Sequence, residues 1–386
     1  MNLPFNSVAT AALFSTLALT FAPVEALLAK DTIKIGSFLA VTGGASFLGD
    51  PELKTLQLYV ERINAAGGVN DKQLELIHYD TAGNPKKAVN FVKRLIKKDG
   101  VDIIIGGSTS GTSMAVIPTV EEEQIPFISL AGSVKIIDPV KKWVFKMPHT
   151  DRMAAARIYA DMNKRGIKKI ALISGNGGFG SSGREQSLQL APEYGIDVVV
   201  DESYGAKDTD MTAQLSKVRG SGAEAILNFG FGTGPAIVTK NVRQLGITLP
   251  LYQSHGVASK KYIELAGEAA EGVRLPAAAL LVASQLPDSD PQKEVLVEYT
   301  TSYESKYESA VSTFGGHAYD GLMIAIEAME RAGSSDKAKV RDEIEKTDGF
   351  IGTAGVFKMD ANDHLGLTID AFKMLEIKGG DWSIIE

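Results

Sequence analysis

From Lys34 onward, short apolar runs alternate with longer stretches whose apolar residues recur every three or four positions. The first pattern predicts buried strands and the second predicts helices with one face on a core. "KIGSFLA" is a strand, and "PELKTLQLYVERINAAGG" is a helix with Pro51 near its start and Gly67 and Gly68 as its stop. "LELIHY" is a strand, followed by the helix "PKKAVNFVKRLIKKDG" with the same punctuation. The strand "VDIIIGG", the helix "TSMAVIPTVEEEQ" and the strand "PFISLA" complete a first unit. Strands alternating with helices imply βαβ crossovers and a parallel sheet.

The pattern breaks at "FKMPHTDR" (145–152) and restarts. "MAAARIYADMNKRG", residues 181–194, "DMTAQLSKVRGSG" and "GPAIVTKNVRQLG" read as helices. "KKIALIS", "DVVVDESY", "AEAILNFG" and "LPLYQSHG" read as strands. A short helix near 259–266 and "GVRLPAAAL" follow. Three helices (291–307, 316–332, 336–346) and two strands, "AGVFKM" and "AFKMLEI", finish the chain. These last elements are too few for a third compact domain and fit as additions to two lobes. The expected architecture is therefore α/β: two Rossmann-like lobes, each a parallel sheet flanked by helices, joined by a three-segment hinge. The crossings fall near 146–150, 276–283 and 346–352. The N-terminal lobe then comprises 30–148 and 280–348, and the C-terminal lobe 149–279 and 349–386. A cleft between hinged lobes is a closing trap.

The first residues carry a different pattern. An uncharged apolar stretch from Val8 to Ala22 precedes Pro23, and the first basic side chain is Lys30. This reads as a secretory signal peptide, residues 1–29, cleaved near Ala26 or Ala29, although "MNLPFNS" lacks the usual Lys or Arg. The stretch is short for a membrane span. With no cysteine in the chain, a disulfide scaffold and a lipid-modified N-terminal Cys are both excluded. Removing Glu25 with the leader lowers the 47 acidic side chains to 46, against 40 basic ones, a net charge of −6. Such a balance disfavours nucleic acid and anionic membrane as partners. The expected location is the periplasm.

In open parallel sheets, ligands sit beyond the carboxyl ends of the strands. In the first lobe those ends are "GGSTSG" (106–111) and "LAGS" (130–133). Ser110 is placed to cap a helix starting at Gly111, leaving N–H groups aimed at the cleft. Ser133 and the amides near Ala131 add donors, a set that suits a carboxylate. The plain alternative is ordinary capped βα loops. The second lobe offers Phe179, Phe229, Phe231 and His255 on glycine-rich turns, a surface for an apolar or flat ligand body. Phe229, inside an apolar strand, reads as core.

"GNGGFG" (175–180) has the spacing of a dinucleotide loop, with Asp201 about twenty residues on. It would make the chain an NAD-dependent oxidoreductase. Against this, the motif lies in the second α/β unit, no catalytic domain follows, and export removes the chain from a nicotinamide pool. His78, His149, His255, His317 and His364 are scattered, without H-x-H or H-E-x-x-H spacing, so no metal site is expected. There is no G-x-S-x-G elbow and no G-x-x-x-x-G-K-[ST] loop.

Three segments carry a wider resemblance: "IKIGSFLAVTGGASFLGD", "INAAGGVNDKQLELIHYDTAGNPKKAV" and "IGGSTSGTSMAVIPTVEEEQIPFISLAGS". With "AEGV" (270–273) and "FGGHAYDGLMIAIEAMERAG", they resemble the periplasmic leucine/isoleucine/valine-binding family, the type I solute-binding proteins of ABC importers. The resemblance covers essentially the whole mature chain. It implies the type I periplasmic binding protein fold, no enzymatic activity, no cofactor, a monomer, and a membrane permease as partner. It further implies a ligand carboxylate held by Ser110, Ala131 and Ser133. Phe179 would cover the ligand, with Phe231 or Gly232 as a second contact and Leu48 lining the pocket. The family's first-lobe disulfide is absent.

One departure bears on the ligand. Amino-acid-binding members place an acidic residue in the segment matching "QSHGV", where it pairs with the ligand's ammonium; here that position is His255. An imidazole does not supply that counter-charge, and burying an unpaired ammonium costs several kcal/mol. The expected ligand is therefore a small carboxylate without the amine, an aromatic acid or an aliphatic keto- or hydroxy-acid. A branched-chain or other amino acid is the alternative within the same role.

Overall fold

The computed structural model describes Met1 and residues 32–385, so the expected signal peptide lies outside the described residues. The first sheet is built from β1 (Ile33–Leu39), β2 (Leu74–Asp80), β3 (Ile103–Gly106), β4 (Phe127–Ser129) and β5 (Val144–Lys146). Its order is β2-β1-β3-β4-β5 and all neighbours are parallel. The helices α1 (Ser46–Ala65), α2 (Pro85–Arg94) and α3 (Ser110–Glu122) are its crossovers. Strands β3 and β4 are apolar and fully buried, as expected for a sheet covered on both faces.

The second unit runs α4 (Asp151–Lys164), β6 (Lys169–Gly175), α5 (Gly178–Leu190), β7 (Asp197–Tyr204) and α6 (Thr212–Ser216). It continues with β8 (Ala225–Phe229), α7 (Thr233–Gln244), β9 (Leu251–Gln253), α8 (Lys260–Ala266) and β10 (Arg274–Ala278). The chain then forms α9 (Lys293–Tyr307), α10 (Thr313–Ala332), α11 (Lys337–Glu345), β11 (Asp348–Ile351), β12 (Val356–Lys358), β13 (Phe372–Lys378) and β14 (Asp381–Ile384). The second sheet has the order β14-β13-β10-β9-β8-β6-β7. Its first five strands in the chain are parallel, whereas β13 and β14 add an antiparallel edge.

Apolar packing shows which lobe each late element joins. Leu296, Tyr299 and Tyr303 of α9, Leu322 and Ala325 of α10 and Val340 of α11 share one core with β1, β3 and β4. Phe357, Met359, Leu365 and Leu367 are in that same core, whereas Phe372 and Met374 pack with the second sheet. The third crossing therefore lies at 368–371, and not at 346–352 as the sequence pattern suggested. The small sheet β11–β12 folds back onto the first lobe because Phe357 has its buried surface there. The first crossing follows β5 and ends at α4; the second follows β10, since Ala279 and Leu280 already belong to the first core.

Two further expectations shift. Helix α1 begins at Ser46, five residues before Pro51, which sits inside it. Its first turn lies so close to the end of β1 that a Cβ on Gly49 would stand 2.4 Å from the Ala40 carbonyl carbon. This approach seats Leu48 against Ala40, Ala45 and Phe314. Helix α3 starts at Ser110, and its cap is Thr109, not Ser110. Thr109 Oγ1 accepts from the Thr112 N–H at 3.2 Å, and the Thr112 hydroxyl reaches back to form a capping box. No helix among the described residues is long and apolar enough to cross a membrane.

Candidate functional site

The carboxyl ends of β3, β4, β8 and β9 face one another across the cleft, and the lobes touch there. Ser133 Oγ lies 2.7 Å from Ser182 Oγ of α5, and Lys135 meets Glu185 at 2.5 Å. Thr313 Oγ1 of α10 donates to the Ala258 carbonyl at 3.2 Å. A Cβ on Gly132 would come within 2.6 Å of the Phe179 ring and 2.9 Å of His255 Nε2, so only glycine permits this approach. This is a shut cleft.

Between the lobes remains a chamber lined by Leu48, Ser108, Thr109, Ser110, Leu130, Gly132, Pro148, Phe179, Phe231, His255, Gly256, Phe314 and His317. Its empty volume is about 390 Å³. It therefore suits a compact ligand that both lobes enclose. Outward, past Phe179 and Phe231, it opens into a groove walled by Gly111, Gly177, Gly178 and Gly232.

At the front of the chamber stands the start of α3. The first N–H groups of a helix have no intrahelical acceptor and carry the positive end of its dipole. Ser110 Oγ accepts from the Ser133 N–H at 3.1 Å, which leaves its own proton to donate. Ser108 Oγ accepts from the Ala40 N–H at 2.9 Å and donates to Glu52 Oε2 at 2.5 Å. Burial holds the Glu52 carboxyl well above the usual carboxylate range, against the opposing hydrogen bond from Ser108. The same burial disfavours a negative charge behind this donor set.

The rest of the wall is aromatic and imidazole. Phe179 lies 5.2 Å from His255, edge to face, and 6.2 Å from Phe231; Phe231 in turn lies 6.5 Å from Phe47 of α1. His255 is 7% exposed, and neither ring nitrogen has a hydrogen-bond partner. Burial first, and the nearby Lys146 ammonium second, push its imidazolium pKa down to about 3. The His149 carbonyl faces the ring and opposes the shift without meeting hydrogen-bond geometry. His317 is held well below the ordinary histidine value by the same two causes, with His255 adding to them. Both rings are neutral at neutral pH.

Of the residues singled out from the sequence, Leu48, Ser110, Phe179, Phe231 and His255 lie on the chamber wall. Gly232 is in the outer groove. Ala131 and Ser133 do not reach the wall. Along 130–133, alternate residues face the chamber, so Leu130 and Gly132 line it while Ala131 and Ser133 are buried away from it. The Ala131 N–H is turned to Ser129 Oγ at 3.3 Å, and the Ser133 hydroxyl to Ser182 and the Lys135 N–H. Sequence reasoning missed Ser108, Phe314 and His317. The last two precede and follow the glycine pair of "FGGHAYDG", one helical turn apart on α10, and that spacing was the available signal.

The dinucleotide reading of "GNGGFG" finds no support in the surroundings. Asp201, the residue that would hold a ribose, takes the Arg184 guanidinium, with Nε at 2.7 Å from Oδ1. The loop instead turns Phe179 into the chamber. Among the described residues no three His, Asp or Glu side chains converge in a metal-holding arrangement.

A family model for periplasmic binding proteins matches residues 32–381. The chain is 27% identical to the leucine-, isoleucine-, valine-, threonine- and alanine-binding protein of Pseudomonas aeruginosa, over 82% of this chain and 83% of that one. An extracellular ligand-binding receptor of Rhodopseudomonas palustris HaA2 superposes with a TM-score of 0.86 at 25% identity, covering 92% and 99% of the two chains. The branched-chain amino acid transporter substrate-binding protein of Streptococcus pneumoniae, solved with isoleucine, superposes at 0.80 and 25% identity, covering 91% and 98%. The two hinged α/β lobes are thus the type I fold of binding proteins, not of enzymes, and the chain belongs to the Leu/Ile/Val-binding family of periplasmic binding proteins.

Proposed function

We propose that this protein captures a small carboxylate lacking an α-ammonium group, an aromatic acid or an aliphatic keto- or hydroxy-acid, and delivers it to a membrane permease. One observation carries the reading: no lining residue of the chamber is acidic, and His255 and His317 stand there as neutral rings. A buried ammonium would lack a counter-charge, whereas a carboxylate would meet Ser110 and the first N–H groups of α3. In this reading Ser133 serves closure, through Ser182 and through the hydrogen bond to Ser110. Ligand docks on the first lobe, and contact with Phe179, Phe231 and His255 then favours the shut form, because a ligand shifts an equilibrium only through what it touches in both states. The protein works as a monomer in the periplasm, freed of residues 1–29.

The second reading, an α-amino acid ligand, is favoured by what the Pseudomonas and Streptococcus relatives bind. Isothermal titration of the mature chain with phenylacetate, 4-methyl-2-oxopentanoate, L-leucine and NAD separates the two. Binding of either of the first two, with L-leucine at least about tenfold weaker, is the expected result. Binding of L-leucine alone overturns the proposal, and binding of NAD alone restores the oxidoreductase.

A further inference from the structure

Three histidines from three separate parts of the chain lie within electrostatic reach of one another. His149 lies in the first crossing, His255 after β9 and His317 in the second turn of α10. They are 1%, 7% and 4% exposed. His149 Nε2, both nitrogens of His255 and His317 Nδ1 have no hydrogen-bond partner. The His149 ring stacks on Phe372 at 3.8 Å, and His255 lies 5.4 Å from that same ring. Of the three, His255 and His317 face the chamber.

The charged groups around them are otherwise engaged. The Lys146 ammonium donates to the carbonyls of Pro148 and His149. Asp151 accepts from the N–H groups of Val134 and Arg152, both at 2.9 Å, and faces Lys146. Asp320, one turn beyond His317, accepts from the Thr353 and Ala354 N–H groups at 2.6 and 2.9 Å. None of these reaches the orphaned ring nitrogens.

A neutral imidazole has one N–H and one bare lone pair. An ammonium only donates, and a carboxylate or ketone only accepts. Each matches two neutral imidazoles only where both rings present the same kind of nitrogen, N–H or lone pair. A hydroxyl accepts from one ring and donates to the other. We propose, building on the carboxylate reading above, that the rear of the chamber is a hydroxyl-recognition site, and that the ligand is a carboxylic acid bearing a hydroxyl group at the end remote from its carboxylate, held between His255 and His317. The front takes the acid through α3, and the apolar wall of Leu48, Phe179, Phe231 and Phe314 spans the distance between the two groups.

The test uses matched pairs that differ by one distal hydroxyl: benzoate and 4-hydroxybenzoate, phenylacetate and 4-hydroxyphenylacetate, hexanoate and 6-hydroxyhexanoate. Terephthalate and 4-carbamoylbenzoate are added as dicarboxylate and amide controls. Titration calorimetry of the wild-type mature chain is expected to show at least one hydroxylated member binding about tenfold or more tightly than its partner. That ratio is read at one fixed pH, because burial brings Lys146 down and Asp320 up to about 7 close to the two rings. His317→Phe should bring it close to one, and His317→Gln should restore part of it. Absence of hydroxyl preference in every pair, tighter binding of either control, or a ratio that survives His317→Phe would each overturn the proposal. The wild-type pairs decide the matter even if a variant fails to fold. Equal binding within pairs defeats this inference alone, whereas binding of L-leucine in place of every acid defeats the carboxylate reading as well.

Discussion

At the front of the chamber every hydroxyl has a partner within the protein: Ser108 with Ala40 and Glu52, Thr109 with Thr112, Ser110 with Ser133. At the rear, the rings of His149, His255 and His317 carry nitrogens with none. The front is a preorganised donor set, fixed by short-range geometry in one lobe. The rear is assembled from three distant segments and has its polar atoms in place but unmatched. Preorganisation lowers the cost of docking, while unmatched buried groups raise the cost of a poorly matched ligand. In the proposed reading, the first lobe supplies affinity and the back wall selectivity.

The comparison breaks most completely if the two walls never meet. Gly132→Val places side-chain atoms where Phe179 and His255 stand. It should reduce affinity by more than about 100-fold, as expected when half the contacts are withheld. Circular dichroism should stay native and small-angle scattering should stay open with ligand present; a closed, tightly binding variant would refute the closure model. His255→Glu converts the rear from neutral to anionic. The leucine-to-keto-acid affinity ratio should rise about 100-fold, because a buried ammonium gains its missing partner; an unchanged ratio would remove His255 from selectivity. Ser110→Ala deletes one donor at the front. A hydrogen bond to a charged group is worth about 1.5–3 kcal/mol, so titration should show roughly 10- to 100-fold weaker binding of every acid.

Smaller effects sharpen the contrast. Ser133→Ala and Ser182→Ala each remove one side of the inter-lobe clasp and should cost about 1 kcal/mol of binding, with the double variant no worse than either single. Fully additive losses would mean that the two hydroxyls act separately. The pH response is the smallest near neutrality. His255 has a folded pKa of about 3, below the ordinary 6.5, so the unfolded chain binds the extra proton between those values. Stability should thus fall as pH drops from about 6.5 toward 3, and urea titrations of His255→Leu should show a flatter decline. An equal slope would mean that this ring does not report on acid stability.

Much of this was legible in the sequence, for reasons that also explain the remainder. Helices and strands from Lys34 to Ala278 follow apolar periodicity, which registers burial directly. Strand β5, which runs into "FKMPHTDR", and the edge strand β14 are too short to show a period. The cap of α3 was displaced by one residue because Thr109 and Ser110 are both good caps, and only the capping box with Thr112 decides between them. The third crossing was misplaced because "AGVFKM" has the same apolar pattern whichever core it joins. In the chamber, residues next to glycine-rich strand ends were found from position alone. His317 and Phe314 were not, because they reach the chamber from a helix of the first lobe far along the chain from Ser110.

His149 lies in the first crossing and Phe372 just beyond the third, and their rings are stacked. The same Phe372 touches His255, which lines the chamber. In the proposed reading, the pivot on which the halves swing and the surface that discriminates between solutes are thus one continuous pile of rings. Mutations that retrain this protein for a new cargo will also change how fast it opens and shuts, so taste and tempo should evolve together.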